Sequence, residues 1–133
     1  MAADTEALID VMPFARQLGI ELVSATPAEV TGRLRWRDDL CTSGGVLHGG
    51  ALMTLADSLG AICAFLNLPE GALTSTIESK TNFFRGVRDG AVSATSRPLH
   101  VGRTTIVVQT DIHDLEGKRV AQVTQTQAVL SGR

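Results

Sequence analysis

The chain has 133 residues, 44% of them hydrophobic and 20% charged, and a net charge of −2. That length fits one domain with a buried core, 1–133, and the balance is that of a globular chain, not a disordered one. The slight negative charge, the absence of tyrosine and an aromatic content of 4% exclude the basic, base-stacking surfaces that nucleic-acid binding needs.

In chain order, the opening Met1-Ala2-Ala3-Asp4 lacks the positive charge of a secretory signal. Residues 1–18 form an N-terminal helical segment: Ala7, Leu8, Val11, Phe14, Ala15 and Leu18 recur at near-helical spacing, Pro13 breaks or kinks the element, and Gly19 ends it. Residues 20–26 and 29–36 read as two strands. In the second, Val30, Gly32, Leu34 and Trp36 lie on one face, and Glu29, Thr31, Arg33 and Arg35 on the other. A polar loop over residues 37–45 leads to His48, Gly49 and Gly50, where a long helix starts and runs to Leu66. Between Ala51 and Leu66 only Thr54, Asp57 and Ser58 are polar, so protein is expected to cover nearly every side of this helix. Asp57 also argues against its crossing a bilayer, and no membrane partner is expected. Asn67-Leu68-Pro69-Glu70-Gly71 stops it. Residues 73–84, 91–101, 104–114 and 118–130 are four strands whose short connections favour antiparallel pairing. The layout is α+β: five or six antiparallel strands curling around one central helix. Cys41 and Cys63 show neither CxxC nor framework spacing, so reduced thiols in a cytoplasm are expected.

Chemistry concentrates at the helix. Gly49 and Gly50 let the backbone approach another molecule closely, and the first amides of a helix have no intrahelical partners, so they suit an oxygen gaining negative charge. Asp57 is the odd residue on an apolar helix, where a carboxylate is a stronger base than in water and could activate a water molecule. Eight residues separate Gly49 from Asp57, about 12 Å along the axis at roughly 1.5 Å per residue, too far for both to reach one carbonyl. If they share a reacting centre, the carboxylate comes from a second chain, which makes a composite site in a homodimer. Three other patterns carry less. Ser58 in Ala56-Asp57-Ser58-Leu59-Gly60 sits mid-helix, not at a strand-to-helix elbow. Cys41 with His48 lacks a third orienting group, and Asp111 with His113 and His100 lacks recognisable metal-ligand spacing, so no metal site is expected.

His48-Gly49-Gly50 followed by Leu55-Ala56-Asp57 resembles the HGG-x4-LAD signature of hotdog-fold acyl-CoA thioesterases of the phenylacetate-pathway (PaaI-like) type. Residues 76–85, Gly102-Arg103-Thr104 and residues 116–121 resemble that family's later strands, so the likeness spans about residues 14 to 130. It implies the hotdog fold, hydrolysis of a small-molecule acyl-CoA with coenzyme A as part of the substrate and no separate cofactor, and a homodimer packed into a dimer of dimers. It implies that His48 supports the loop, that Thr76 lies near the carboxylate, and that the nucleotide of coenzyme A lies by the last strands, where Arg85 and Arg103 are the expected phosphate contacts. The family often carries Asn or Gln where this chain has Thr42, whose hydroxyl cannot make the two-ended contact of an amide. The rival reading is a non-catalytic acyl-CoA-binding or sensing domain, of which Thr42 would be the sign. A hydratase on the same fold is a weaker third, since its Asp and His spacing is absent.

Overall fold

In the computed structural model, which describes residues 4–131, the chain folds as one six-stranded antiparallel sheet curled around one long helix. Residues 1–3 of the expected N-terminal segment, and 132–133 of the expected domain, lie outside the described residues. The segment itself is two short helices, α1 (Thr5–Asp10) and α2 (Pro13–Leu18). Asp4 caps α1 through Oδ1, which accepts from the amides of Glu6 and Ala7. Pro13 starts α2 where a missing N–H costs nothing, and Gly19 closes it at φ 81°.

Strands β1 (Glu21–Ala25) and β2 (Val30–Arg35) form a hairpin, with Val30, Gly32 and Leu34 buried. The polar loop that follows contains one turn of 3-10 helix (Asp38–Leu40). Then come α3 (Gly49–Leu66), β3 (Leu73–Phe83), β4 (Ala91–Val101), β5 (Thr105–Asp114) and β6 (Arg119–Leu130). Strand order is β1-β2-β4-β5-β6-β3, so the strand that directly follows the helix forms the far edge.

The core lies between α3 and the concave face of the sheet. Leu55, Ala56, Leu59 and Cys63 are completely buried, as are Val30, Leu34, Ile106, Val108 and Ile112 from the strands. By length and a mean hydropathy of 1.5, α3 is long and apolar enough to cross a membrane, contrary to expectation. The curled sheet, however, makes it the core helix of this fold.

Two features depart from a helix covered on all sides. A stripe of α3 stays open in the single chain, with Met53 40% and Phe65 51% exposed and Asp57 exposed between them. Beside it, β3 is open along most of its length, with Leu73 65% and Ile77 63% exposed. An edge strand carrying apolar side chains is a ready site for pairing.

Candidate active site

The loop that delivers the helix start is held from several directions. Trp36 Nε1 donates to the carbonyl of Gly45 at 3.0 Å, Arg88 to that of Gly44 at 3.0 Å, and the amides of Leu47 and His48 donate to Val87 and Leu40 at 2.9 Å each. Gly44 and Gly45, at φ 83° and 76°, take the left-handed conformations this path requires.

His48 is the N-cap of α3: its Nδ1 accepts from the amide of Gly50 at 2.8 Å. The Gly50 N–H is thereby engaged within the chain. A Cβ at that position would stand 2.9 Å from Nδ1, so the glycine makes room for the capping ring. The amide of Gly49 has no acceptor among the described residues, as expected for the first residue of a helix. The ring of Phe83, from the end of β3, lies over its Cα, 3.0 Å from where a Cβ would be.

Two turns along, Asp57 borders a largely apolar cleft but is not enclosed by it. Its carboxylate is exposed in the single chain and held by the sheet. Thr76 Oγ1 and Gln125 Nε2 both donate to Oδ1, each at 3.0 Å. Thr76 in turn accepts from Gln127 Nε2 at 2.7 Å, and the single Thr74 hydroxyl proton lies within reach of two acceptors, the Ala128 carbonyl at 2.9 Å and Gln127 Oε1 at 3.1 Å. Thr76 pairs directly with Gln127 beside an irregularity in the β3–β6 register, the kind of local bend that re-aims a side chain. No group among the described residues donates to Asp57 Oδ2.

Asp57 lines a cleft of about 510 Å³ between α3, β3 and the N-terminal helices, with Met12, Phe14, Met53, Ser58 and Thr76 among its walls. A smaller recess of about 220 Å³ by the helix start includes Cys41, His48 and Gly50. Cys41 is poorly suited to nucleophilic work there, because burial first, then the carboxylates of Asp38 and Asp39, hold its thiol above the ordinary value. Thr42 is exposed, its amide donating to Val46 at 2.9 Å and its hydroxyl in no hydrogen bond to the described residues.

Arg85 and Arg103 are not brought together. Arg85 follows Phe83, which pairs with Ala121, whereas Arg103 precedes Thr105, which pairs with Ala128. Seven residues of strand, on the order of 23 Å, separate those two levels of the sheet. One chain cannot bring both arginines to the same phosphate.

Gln125 and Gln127 were not singled out in the sequence. Both faces of β6 are polar in the run Gln122-Val123-Thr124-Gln125-Thr126-Gln127, so alternation alone did not tell in from out. The available signal is parity: both share the face of Val123, and all three are buried.

A curled antiparallel sheet around a single helix, with a free amide at the helix start and a carboxylate at its middle, defines the hotdog class. Residues 44–121, more than half of the chain, match the Thioesterase superfamily. The chain belongs to that superfamily. It is 34% identical over 86 residues to the 1,4-dihydroxy-2-naphthoyl-CoA hydrolase of Escherichia coli, a match covering 65% of this chain and 63% of that one. The chain likewise spans only 54 to 63% of the length of three other similar bacterial relatives. Among solved structures, a mutant thioesterase of Pseudomonas aeruginosa is 30% identical with a TM-score of 0.91, over 96% of this chain and 94% of that one. A thioesterase of Haemophilus influenzae is 28% identical with a TM-score of 0.92, over 98% and 93%.

Proposed function

We propose that the chain hydrolyses the thioester of an acyl-CoA, in a homodimer whose two sites each take residues from both protomers. The observation that carries this reading is the pairing of an unoccupied helix N-terminal amide at Gly49 with a carboxylate, Asp57, that is held on one oxygen and free on the other. Asp57 accepts a proton from water as the water oxygen bonds to the thioester carbon. The carbonyl oxygen, gaining charge, meets the Gly49 amide. Collapse of that intermediate breaks the C–S bond, and the departing CoA thiolate takes up a proton. An amide donor of this kind is worth roughly 2.7–4 kcal/mol in the transition state. Because the two groups are about 12 Å apart along one helix, Asp57 belongs to the partner of the chain that supplies Gly49.

The exposed edge strand β3 is the surface we assign to the two-fold, where pairing removes the edge and covers the open stripe of α3. A dimer of dimers extends this by resemblance. His48 holds the helix start and Thr76 holds Asp57. Arg85, beside the helix start, is the phosphate contact proposed for coenzyme A, and Arg103 would serve the same site only from the other protomer. Coenzyme A enters as part of the substrate, and the reaction as written uses no further cofactor. The relative named as a naphthoyl-CoA hydrolase supports the CoA thioester as substrate class.

Release of free thiol from short, long and aromatic acyl-CoAs, followed with a thiol-reactive dye, tests the reading. Turnover of at least one class is expected, with Asp57→Asn lowering kcat on the order of 10²–10⁴-fold. Binding of acyl-CoA without release of thiol would instead establish the sensing domain.

A further inference from the structure

We propose that Gln125 and Gln127, two fully buried amides on β6, are positioning residues that saturate one oxygen of the Asp57 carboxylate from the sheet side and leave the other to meet water. This rests on the role proposed above for Asp57.

Their setting argues against a packing role alone. Both are 0% exposed on the helix-facing side of the strand, among Val123, Ile106 and Val108, where an apolar side chain would need no hydrogen-bond partners. Gln127 Nε2 reaches Thr76, while its Oε1 shares the Thr74 hydroxyl with the Ala128 carbonyl. In Gln125, Nε2 reaches Asp57, while Oε1 is buried without a partner. That oxygen lies against Gly60, where a Cβ would stand 2.0 Å away. The chain therefore keeps an unpartnered buried oxygen and an interior helix glycine, and what both make possible is one N–H directed at Asp57.

Donor direction follows from the carboxylate. An ionised Asp57 only accepts, so Thr76 must give it the single hydroxyl proton, and Gln125 must present its NH2 group. Thr76 gives its proton away from Gln127 only if Gln127 also presents NH2, which turns Gln127 Oε1 toward the Thr74 hydroxyl that it shares with the Ala128 carbonyl. The relay from Gln127 through Thr76 thus has one polarity, ending at Oδ1 beside the second donor from Gln125. With Oδ1 engaged twice and Oδ2 not at all, the side chain presents one defined oxygen at the cleft.

The test uses the full chain and the acyl-CoA that it turns over best. Gln125→Met and Gln127→Met keep length and approximate volume while removing the amide. Each is expected to lower kcat on the order of 10- to 10²-fold, the scale of a small misplacement of a reacting group, with KM changed by less than about twofold. A second pair sits on the exposed edge strand and serves if the buried variants unfold: Thr76→Val loses rate, and Thr76→Ser, which keeps the hydroxyl, retains most of it. Folded Met variants with wild-type kcat, a change confined to KM, or an active Thr76→Val would overturn the relay. Asp57→Asn, assayed in parallel, separates the failures: inactive Asp57→Asn with active Met variants refutes the relay alone, and active Asp57→Asn removes the underlying base as well.

Discussion

Replacing Gly60 by alanine sets two magnitudes against each other. In an exposed helix interior the change stabilises by about 1 kcal/mol, since alanine restricts the unfolded chain and favours the helix. Here the added methyl would stand 2.0 Å from Gln125 Oε1 and 2.5 Å from its amide carbon, inside contact distance of a side chain that is itself 0% exposed. Forcing an extra carbon into packed surroundings costs about 1–3 kcal/mol. Moving the Gln125 amide also breaks its bond to the Asp57 carboxylate, and bonds to charged groups are worth about 1.5–3 kcal/mol. A net loss of about 3 kcal/mol is expected. With an unfolding entropy near 0.28 kcal/mol per degree for 133 residues, that lowers Tm by about 11 °C. Thermal unfolding by circular dichroism at fixed protein concentration reads it, with kcat measured beside it. In a Gln125→Ala background the three atoms nearest the added methyl are gone, and the same substitution should be neutral or stabilising by up to about 1 kcal/mol, so the double-mutant cycle isolates the coupling. A raised Tm for Gly60→Ala in the wild-type background would show that Gln125 moves freely and that the collision does not constrain it.

Three further expectations follow from other parts of the chain. His48→Ala removes the N-cap of α3 and should cost about 1 kcal/mol, seen in Tm and in faster hydrogen exchange of the Gly50 amide, while His48→Asn should recover most of the loss. Asp114 Oδ1 accepts from the amides of Glu116 and Lys118 at 2.9 Å each, and these bonds, the Lys118 amide foremost, hold its carboxyl below the ordinary 3.8. Because the folded value is depressed, this stabilisation is complete above the unfolded value and disappears as pH falls through the folded one. Asp114→Ala should therefore be less stable than wild type at neutral pH, with the difference shrinking below about pH 4 in an acid titration of folding. Mixing Asp57→Asn with Gly49→Val under subunit exchange should restore about one quarter of wild-type activity, because half the dimers become heterodimers with one intact site of two. Exchange without recovered activity would place both groups in one chain.

The elements were legible in the sequence because their signals are local. Alternating apolar residues, Gly90 and Gly117 in left-handed turns, Pro13 at a helix start and the run from Ala51 to Leu66 each act within a few residues. Local signals also placed His48, Gly49 and Asp57 at the start and the middle of one helix, and the rise per residue implied that, if Gly49 and Asp57 serve one reacting centre, they come to it from two chains. What lies beyond local reach depended on sheet order. That β3 pairs with β6, fifty residues further on, brings Gln127 to Thr76, and Thr76 with Gln125 to Asp57, and neither face of β6 announces this, since each carries Gln. The same order sends Arg85 and Arg103 to opposite ends of the sheet, although both follow the helix in sequence. Apolar composition implied that α3 is enclosed. Only the curvature of the sheet decided which stripe of it remains open, and Asp57 lies on that stripe, where side-chain donors from distant strands hold its carboxylate.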